Sequence, residues 1–354
     1  MNILLIYTGG TIGMLRNPRT GALESFDFPQ LREHVPELQL LGHRIDVHTF
    51  QPPIDSSDME PDHWILLRDI IQSAYADYDG FVVLHGTDTM AFTASALSFL
   101  LPNLDKPVVI TGSQLPVSQL RTDGRENLIT AVEIAAATDS QGRPRVREVC
   151  IFFERKLLRG NRSTKINAEG FNAFRSHNFP LLAQAGTHIA YRTAEAPRSS
   201  LPPAEARLYA ESCARLTALS SEVVVVTLFP GMTERMFAAQ VSDSALKAVI
   251  LRTFGSGNAP QRPWLQTQLQ QLAGRGVIVA NITQCDEGSV EMGRYQTSRL
   301  LQEAGVVPGF DSTWEAMLTK LMVLVSSDLP PATVKAFLLQ SLAGEITLPP
   351  SSPC

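Results

Sequence analysis

Cysteine is scarce in this chain of 354 residues and poorly placed for cross-linking. Cys150, Cys213, Cys285 and Cys354 are scattered and form no C-x-x-C pair, so neither zinc nor a disulfide framework is indicated. The seven histidines show no H-x-x-x-H spacing, and no metal or cofactor is expected. An excess of either charge is also lacking. With 30 Lys and Arg against 35 Asp and Glu, the net charge of −5 offers no basic patch for nucleic acid. No apolar run approaches the roughly 18 residues of a membrane span. The first apolar run is about six residues long, lies before Gly9 and has no basic leader, unlike a signal peptide. A cytoplasmic protein with reduced thiols is the expectation.

What is present is a globular composition, 44% hydrophobic and 18% charged, in a length that fits two domains. Strands are predicted at 3–7, 44–50, 80–84, 107–111 and 148–153. Helical patterns lie between them at 62–76, 90–101 and 127–137, the last with Asp123 as its expected N-cap. Repeated βα order predicts a larger N-terminal domain over residues 1–190, with a doubly wound, mostly parallel sheet. Residues 191–220 open with prolines, serines and arginines of no period, and read as a linker. Alternation resumes over 221–354, with strands at 222–228, 247–251 and 276–282. Helices are expected at 233–239, 263–273, 296–304, 314–325 and 331–342, making a smaller C-terminal α/β domain.

Four segments carry candidate chemistry. Thr8-Gly9-Gly10-Thr11 ends the first strand, and His85-Gly86-Thr87-Asp88-Thr89 ends the third. In open α/β sheets ligands bind outside the carboxyl ends of strands, so these hydroxyls and Asp88 converge on one edge. Each also has a plainer reading. The two glycines suit any tight turn, and Thr87 or Asp88 could simply cap the helix that begins at Met90. His85 reads as a structural hydrogen-bonding group. The aperiodic stretch 12–28 is long for a connector and reads as a lid. Asp55-Ser56-Ser57-Asp58 follows another strand, though Ser and Asp are common in turns. Arg159-Gly160-Asn161-Arg162-Ser163-Thr164-Lys165 reads by default as solvated charge. A catalytic threonine needs a base, however, and a desolvated Lys165 could serve. No nucleotide-binding G-x-G-x-x-G or G-x-x-x-x-G-K-[ST] follows a strand.

Tyr7-Thr8-Gly9-Gly10-Thr11-Ile12-Gly13-Met14, Asp55–Met59, His85–Met90 and Arg159–Lys165 together resemble the type I (cytoplasmic) L-asparaginases. The likeness continues through Asn258-Ala259-Pro260 and Thr283-Gln284-Cys285, so it spans nearly the whole chain. It implies hydrolysis of L-asparagine to L-aspartate and ammonia, without a cofactor, by a homodimer or homotetramer with the site near a subunit interface. Thr11 matches the family's nucleophile, and Thr87, Asp88 and Lys165 match its second threonine, aspartate and lysine. Asp55, Ser56 and Ser57 match the segment that grips the amino-acid end of the substrate. Several relatives carry a tyrosine in the lid, where Gly21-Ala22-Leu23 stands here; Tyr295 matches a tyrosine that other members use instead. Arg252, Thr283, Gln284 and Cys285 match a region where some members bind asparagine as a regulator.

Overall fold

The computed structural model describes residues 1–16, 23–25, 33–192, 199–293 and 296–348. The chain divides into two compact units, Met1–Glu195 and Ala196–Cys354. In the first, the parallel strands are β1 (Asn2–Tyr7), β2 (Arg44–Thr49), β3 (Gly80–Leu84), β4 (Val108–Thr111) and β5 (Val149–Phe153). Three antiparallel strands extend the sheet beyond β5: β6 (Lys156–Arg159), β7 (Ala183–Ala185) and β8 (Ile189–Tyr191). The spatial order is β8-β7-β6-β5-β4-β3-β1-β2. Helices that cover this sheet include α1 (Pro61–Ser73), α2 (Met90–Leu100) and α3 (Gly124–Ala136).

Strand alternation explains why both faces are buried. Ile3, Leu5, Tyr7, Val82 and Leu84 pack with Leu128, Ala131 and Val132 of α3. Leu4, Ile6, Phe81 and Val83 pack on the other face with Leu67 and Ile71 of α1 and with Met90, Ala94 and Leu97 of α2. Successive side chains point to opposite faces, so a central parallel strand must be apolar throughout. The five predicted parallel strands are all present within a residue or two.

The second unit holds four parallel strands in sequence order, β9 (Val223–Thr227), β10 (Ala248–Thr253), β11 (Ile278–Thr283) and β12 (Val307–Pro308). Its helices include α4 (Pro203–Arg215), α5 (Glu234–Val241), α6 (Pro263–Gly274) and α7 (Gln296–Glu303), followed by α8 (Trp314–Ser326) and α9 (Pro331–Leu338). α4 corrects the reading of 191–220 as linker throughout. Its N1 proline, first-turn Glu205 and last-turn Arg215 favour a helix, and Tyr209, Ser212 and Cys213 are its buried side. In the same unit Lys320 and Glu345, both fully buried, pair at 2.7 Å. Burial alone would raise the Glu345 carboxyl. The Lys320 ammonium and the N–H groups of Ala343 and Leu342 instead hold it below its usual range. Among the described residues no helix is long and apolar enough to cross a membrane.

Candidate active site

The parallel strands run in the order β2-β1-β3-β4-β5, so the chain reverses direction across the sheet between β1 and β3. Such a switch point leaves a crevice at the carboxyl ends of the two strands. Thr11 follows β1 and Thr87 follows β3, one on each side of it. Thr8 ties the two ends together: its N–H and its hydroxyl both donate to Leu84 O, at 3.0 and 2.9 Å.

Glycine lets three loops touch here. Gly9 and Gly10 have φ of 137° and 87°, a region that side chains rarely adopt. A methyl group on Gly9 would lie 2.0 Å from Ile54 O, and one on Gly10 would lie 2.5 Å from Gly86 Cα. One on Gly86 would lie 2.4 Å from Ser56 Oγ. The Thr11 turn therefore stacks backbone against backbone on both the Thr87 turn and Ile54, while the Ser56 side chain lies against Gly86. Ser56 is buried at their junction, and its carbonyl accepts the Thr89 hydroxyl at 2.7 Å. Asp55 and Ser57 are exposed and bond each other. The Asp55 carboxylate accepts the Ser57 N–H and hydroxyl, both at 2.9 Å, and these bonds lower its pKa.

Lys165 comes from a short hairpin in which Thr164–Lys165 pairs with Phe174–Arg175. Phe174 is buried against Phe153, with ring centroids 5.1 Å apart, and anchors the hairpin to the sheet. The lysine Nζ donates to Thr87 Oγ1 at 2.9 Å and to Asp88 Oδ1 at 2.7 Å. The preceding residues are not the solvated charge expected by default. Arg159, Asn161, Arg162 and Ser163 are between 0 and 3% exposed. The Arg159 guanidinium is held by Glu148 at 2.6 Å and lies over the Phe179 ring at 4.2 Å. Glu148 lies eleven residues upstream, outside the motif, so the composition of this run gives no sign of the pairing.

The capping alternatives also resolve. Thr89 is the N-cap residue of α2, but its side chain makes no capping bond. The α2 N-terminus thus leaves its positive end facing the Thr87 turn. Asp123 stands at the N-cap of α3 without capping it. Its carboxylate accepts the N–H groups of Gln114 and Leu115 instead, and burial raises its pKa against those bonds.

His85 is fully buried between strand and helix. Its Nδ1 faces Gly86 O at 2.7 Å, so that nitrogen donates and Nε2 accepts the Thr93 hydroxyl at 2.9 Å. Trp64 Nε1 in turn donates to Thr93 Oγ1 at 3.0 Å. Burial pushes the imidazole down to about 4, and the bond to Gly86 only partly offsets this. The folded pKa lies below the ordinary 6.5, so this stability is complete above pH 6.5 and is lost on acidification towards pH 4. Its full extent is about 3 kcal/mol. Urea unfolding at pH 7 and pH 4.5 is expected to show this dependence, and His85→Asn should lose most of it; identical pH dependence in the two proteins would refute the assignment.

Two neighbours escaped the sequence reading. Gln114 Oε1 accepts the Thr87 hydroxyl at 3.4 Å, while its Nε2 donates to Gly170 O at 3.0 Å. Its place just after β4, at the carboxyl edge of the same sheet, was the available signal. Tyr7, inside a strand, carried none. Within 12–28, the backbone of Met14–Arg16 pairs with Leu23–Ser25, whereas 17–22 and 26–28 lie outside the described residues. Tyr295 also lies outside them.

In the second unit, the residues matched to a regulatory region do come together. Gln284 Nε2 donates to Arg252 O at 2.9 Å, and Thr283 Oγ1 accepts the Cys285 N–H at 3.0 Å. The Arg252 guanidinium lies 5.9 Å from the Trp314 ring centroid. Its Nε is buried without a hydrogen-bond partner among the described residues.

Comparison with known proteins gives a consistent result. The family model for the asparaginase N-terminal domain matches residues 2–197, and that for the glutaminase/asparaginase C-terminal domain matches residues 222–338. L-asparaginase 1 of Escherichia coli K12 is 43% identical over 355 residues, covering 98% of each chain. The crystal structure of L-asparaginase I from Vibrio cholerae superposes with a TM-score of 0.84 at 41% identity, covering 98% of this chain and 99% of that one. The thermostable L-asparaginase from Thermococcus kodakarensis gives the same TM-score and coverage at 30% identity.

Proposed function

Since the chain belongs to the asparaginase family, we propose that it hydrolyses L-asparagine to L-aspartate and ammonia through an ester on Thr11. The observation that carries this reading is the Lys165 ammonium held between the Thr87 hydroxyl and the Asp88 carboxylate at the switch point beside the Thr11 turn.

Asp88 is 64% exposed on its side chain, so its carboxylate is available to a substrate α-ammonium. Ser56 and neighbouring N–H groups receive the α-carboxylate. Charge pairs of this kind are stronger in a closed site than in water, which excludes plain amides. Asp88 thereby exchanges Lys165 for the substrate, and Lys165 is left to act on Thr87. Once Lys165, released from Asp88, has given up a proton to solvent, Thr11 attacks the side-chain amide carbon, and its proton, relayed by Thr87 and the neutral Lys165 amine or by Tyr295, ends on the departing nitrogen. The Thr87 hydroxyl and glycine-turn N–H groups steady the oxyanion. Ammonia departs, and water cleaves the ester. Closure of 12–28 excludes bulk water during the first step.

Glutamine is one methylene longer, a difference of about 1–3 kcal/mol in transition-state binding, so a weaker glutaminase activity accompanies the main one. Arg252, Thr283, Gln284 and Cys285 form a second asparagine site, supported by the buried Arg252 Nε, which has no hydrogen-bond partner among the described residues. The protein acts as a homodimer or homotetramer. It works in the cytoplasm, in keeping with the free thiols of Cys150 and Cys285.

Ammonia release by the purified protein, measured against asparagine and glutamine concentration, tests the activity, its selectivity and the second site. The expected result is turnover of asparagine about 10–200-fold more efficient than of glutamine, with sigmoidal dependence on asparagine. No ammonia from asparagine would overturn the activity, and a plain hyperbola would overturn the second site alone.

A further inference from the structure

The turn that carries Thr11 is braced from inside the sheet by the last residue of β1. Thr11–Gly13 is a single 3-10 turn closed by the Gly13 N–H on Gly10 O at 3.2 Å. Strand alternation points Tyr7 to the α3 face, where Ile12 from the turn itself joins the same apolar cluster. Ile12 is wholly buried and Tyr7 is 5% exposed. From there the Tyr7 hydroxyl reaches under the turn and donates to Gly13 O at 3.1 Å, with Gly10 O at 3.5 Å. Both ends of the segment holding Thr11 thus face one phenol oxygen.

Gly13 is shaped to this arrangement. It is not among the residues with positive φ, so its backbone does not require glycine. Space does. A methyl group there would lie 2.2 Å from Tyr7 Cζ and 2.3 Å from its hydroxyl oxygen. The ring therefore occupies the volume that any side chain at position 13 would need.

We propose that Tyr7 is a positioning residue, whose hydroxyl and ring fix the Thr11 turn in the orientation that nucleophilic attack requires. The inference rests on the reading of Thr11 as nucleophile. A misplacement of about 1 Å in a reacting group costs on the order of a hundredfold in rate, so a brace on this turn acts on turnover more than on binding. The substrate's amino-acid end is received by Asp88 and Ser56, which belong to other turns than the one Tyr7 braces. Burial pushes the phenol up to about 12, so it remains a donor at working pH and takes no proton from Thr11.

Tyr7→Phe removes only the hydroxyl and keeps the ring in the core. Its kcat for asparagine is expected to fall about 10–100-fold, with KM within about threefold of the parent. The limbs of its pH–rate profile should not move. Gly13→Ala, which drives a methyl into the ring, should shift kcat the same way; if it fails to fold, Tyr7→Phe decides alone. Thr11→Val is assayed alongside. An inactive Thr11→Val with a fully active Tyr7→Phe would overturn the brace and leave the nucleophile standing. An active Thr11→Val would overturn the nucleophile, and the brace with it. A Tyr7→Phe loss explained by fewer folded molecules in thermal unfolding, or a displaced pH limb, would make Tyr7 merely structural or a titrating participant, and either result overturns the proposal.

Discussion

Thr11→Val is expected to lower kcat/KM for asparagine by on the order of 10⁴-fold or more, while L-aspartate still binds. Valine keeps the volume and branching of threonine and loses the one atom that can form an ester. In enzymes with an activated hydroxyl, loss of the nucleophile alone removes nearly the whole advantage of the catalytic set. In the proposed mechanism aspartate binding depends on Asp88 and Ser56, which lie on the β3 and Ser56 turns and keep their own bonds. Thr11 is only half-buried, so the substitution leaves the core intact. Turnover would be followed by ammonia release and aspartate binding by calorimetry. Turnover at parental rates would remove Thr11 from the mechanism, and loss of both properties would point to a collapsed site.

Lys165→Met carries the second large effect. A loss of about 10²–10⁴-fold in kcat is expected, the range for a group that moves a proton in the transition state. Its effect on stability should be small, and the magnitudes explain why. Removing one member of a buried ion pair costs about 3–5 kcal/mol because the other charge is stranded. Here the other charge is not stranded, since the Asp88 side chain is 64% exposed and returns to water. Partly exposed pairs of this type contribute about 1 kcal/mol or less. Methionine retains most of the aliphatic stem. An unchanged circular dichroism spectrum with lost activity therefore reports chemistry, whereas a comparable fall in thermal midpoint would make the lysine structural. The buried Lys320–Glu345 pair, fully enclosed in the second unit, is the contrasting case.

The legible parts of the molecule were those set by local pattern. Gly80-Phe81-Val82-Val83-Leu84 is apolar at every position, and only a strand covered on both faces uses such a run. The antiparallel strands β6, β7 and β8 were missed, being three or four residues that borrow their definition from pairing partners. Helix α4 was hidden by the prolines and serines that precede it. Arg159 and Arg162 looked solvated because Glu148 and Phe179, which receive them, lie outside that run of sequence.

By itself the amino-acid order determined where strands end and which hydroxyls, carboxylates and amines stand at those ends, because burial period and turn chemistry are properties of neighbouring residues. Tertiary structure decided which of those ends meet. Sheet order put Thr11 and Thr87 on either side of one crevice, glycine contacts drew Ser56 against Gly86, and a distant hairpin delivered Lys165 to Asp88. Tyr7 shows the division within one residue. Alternation placed its ring in the core, but only the folded turn revealed a carbonyl waiting at its hydroxyl, because a hydrogen bond needs direction and distance that sequence spacing does not encode.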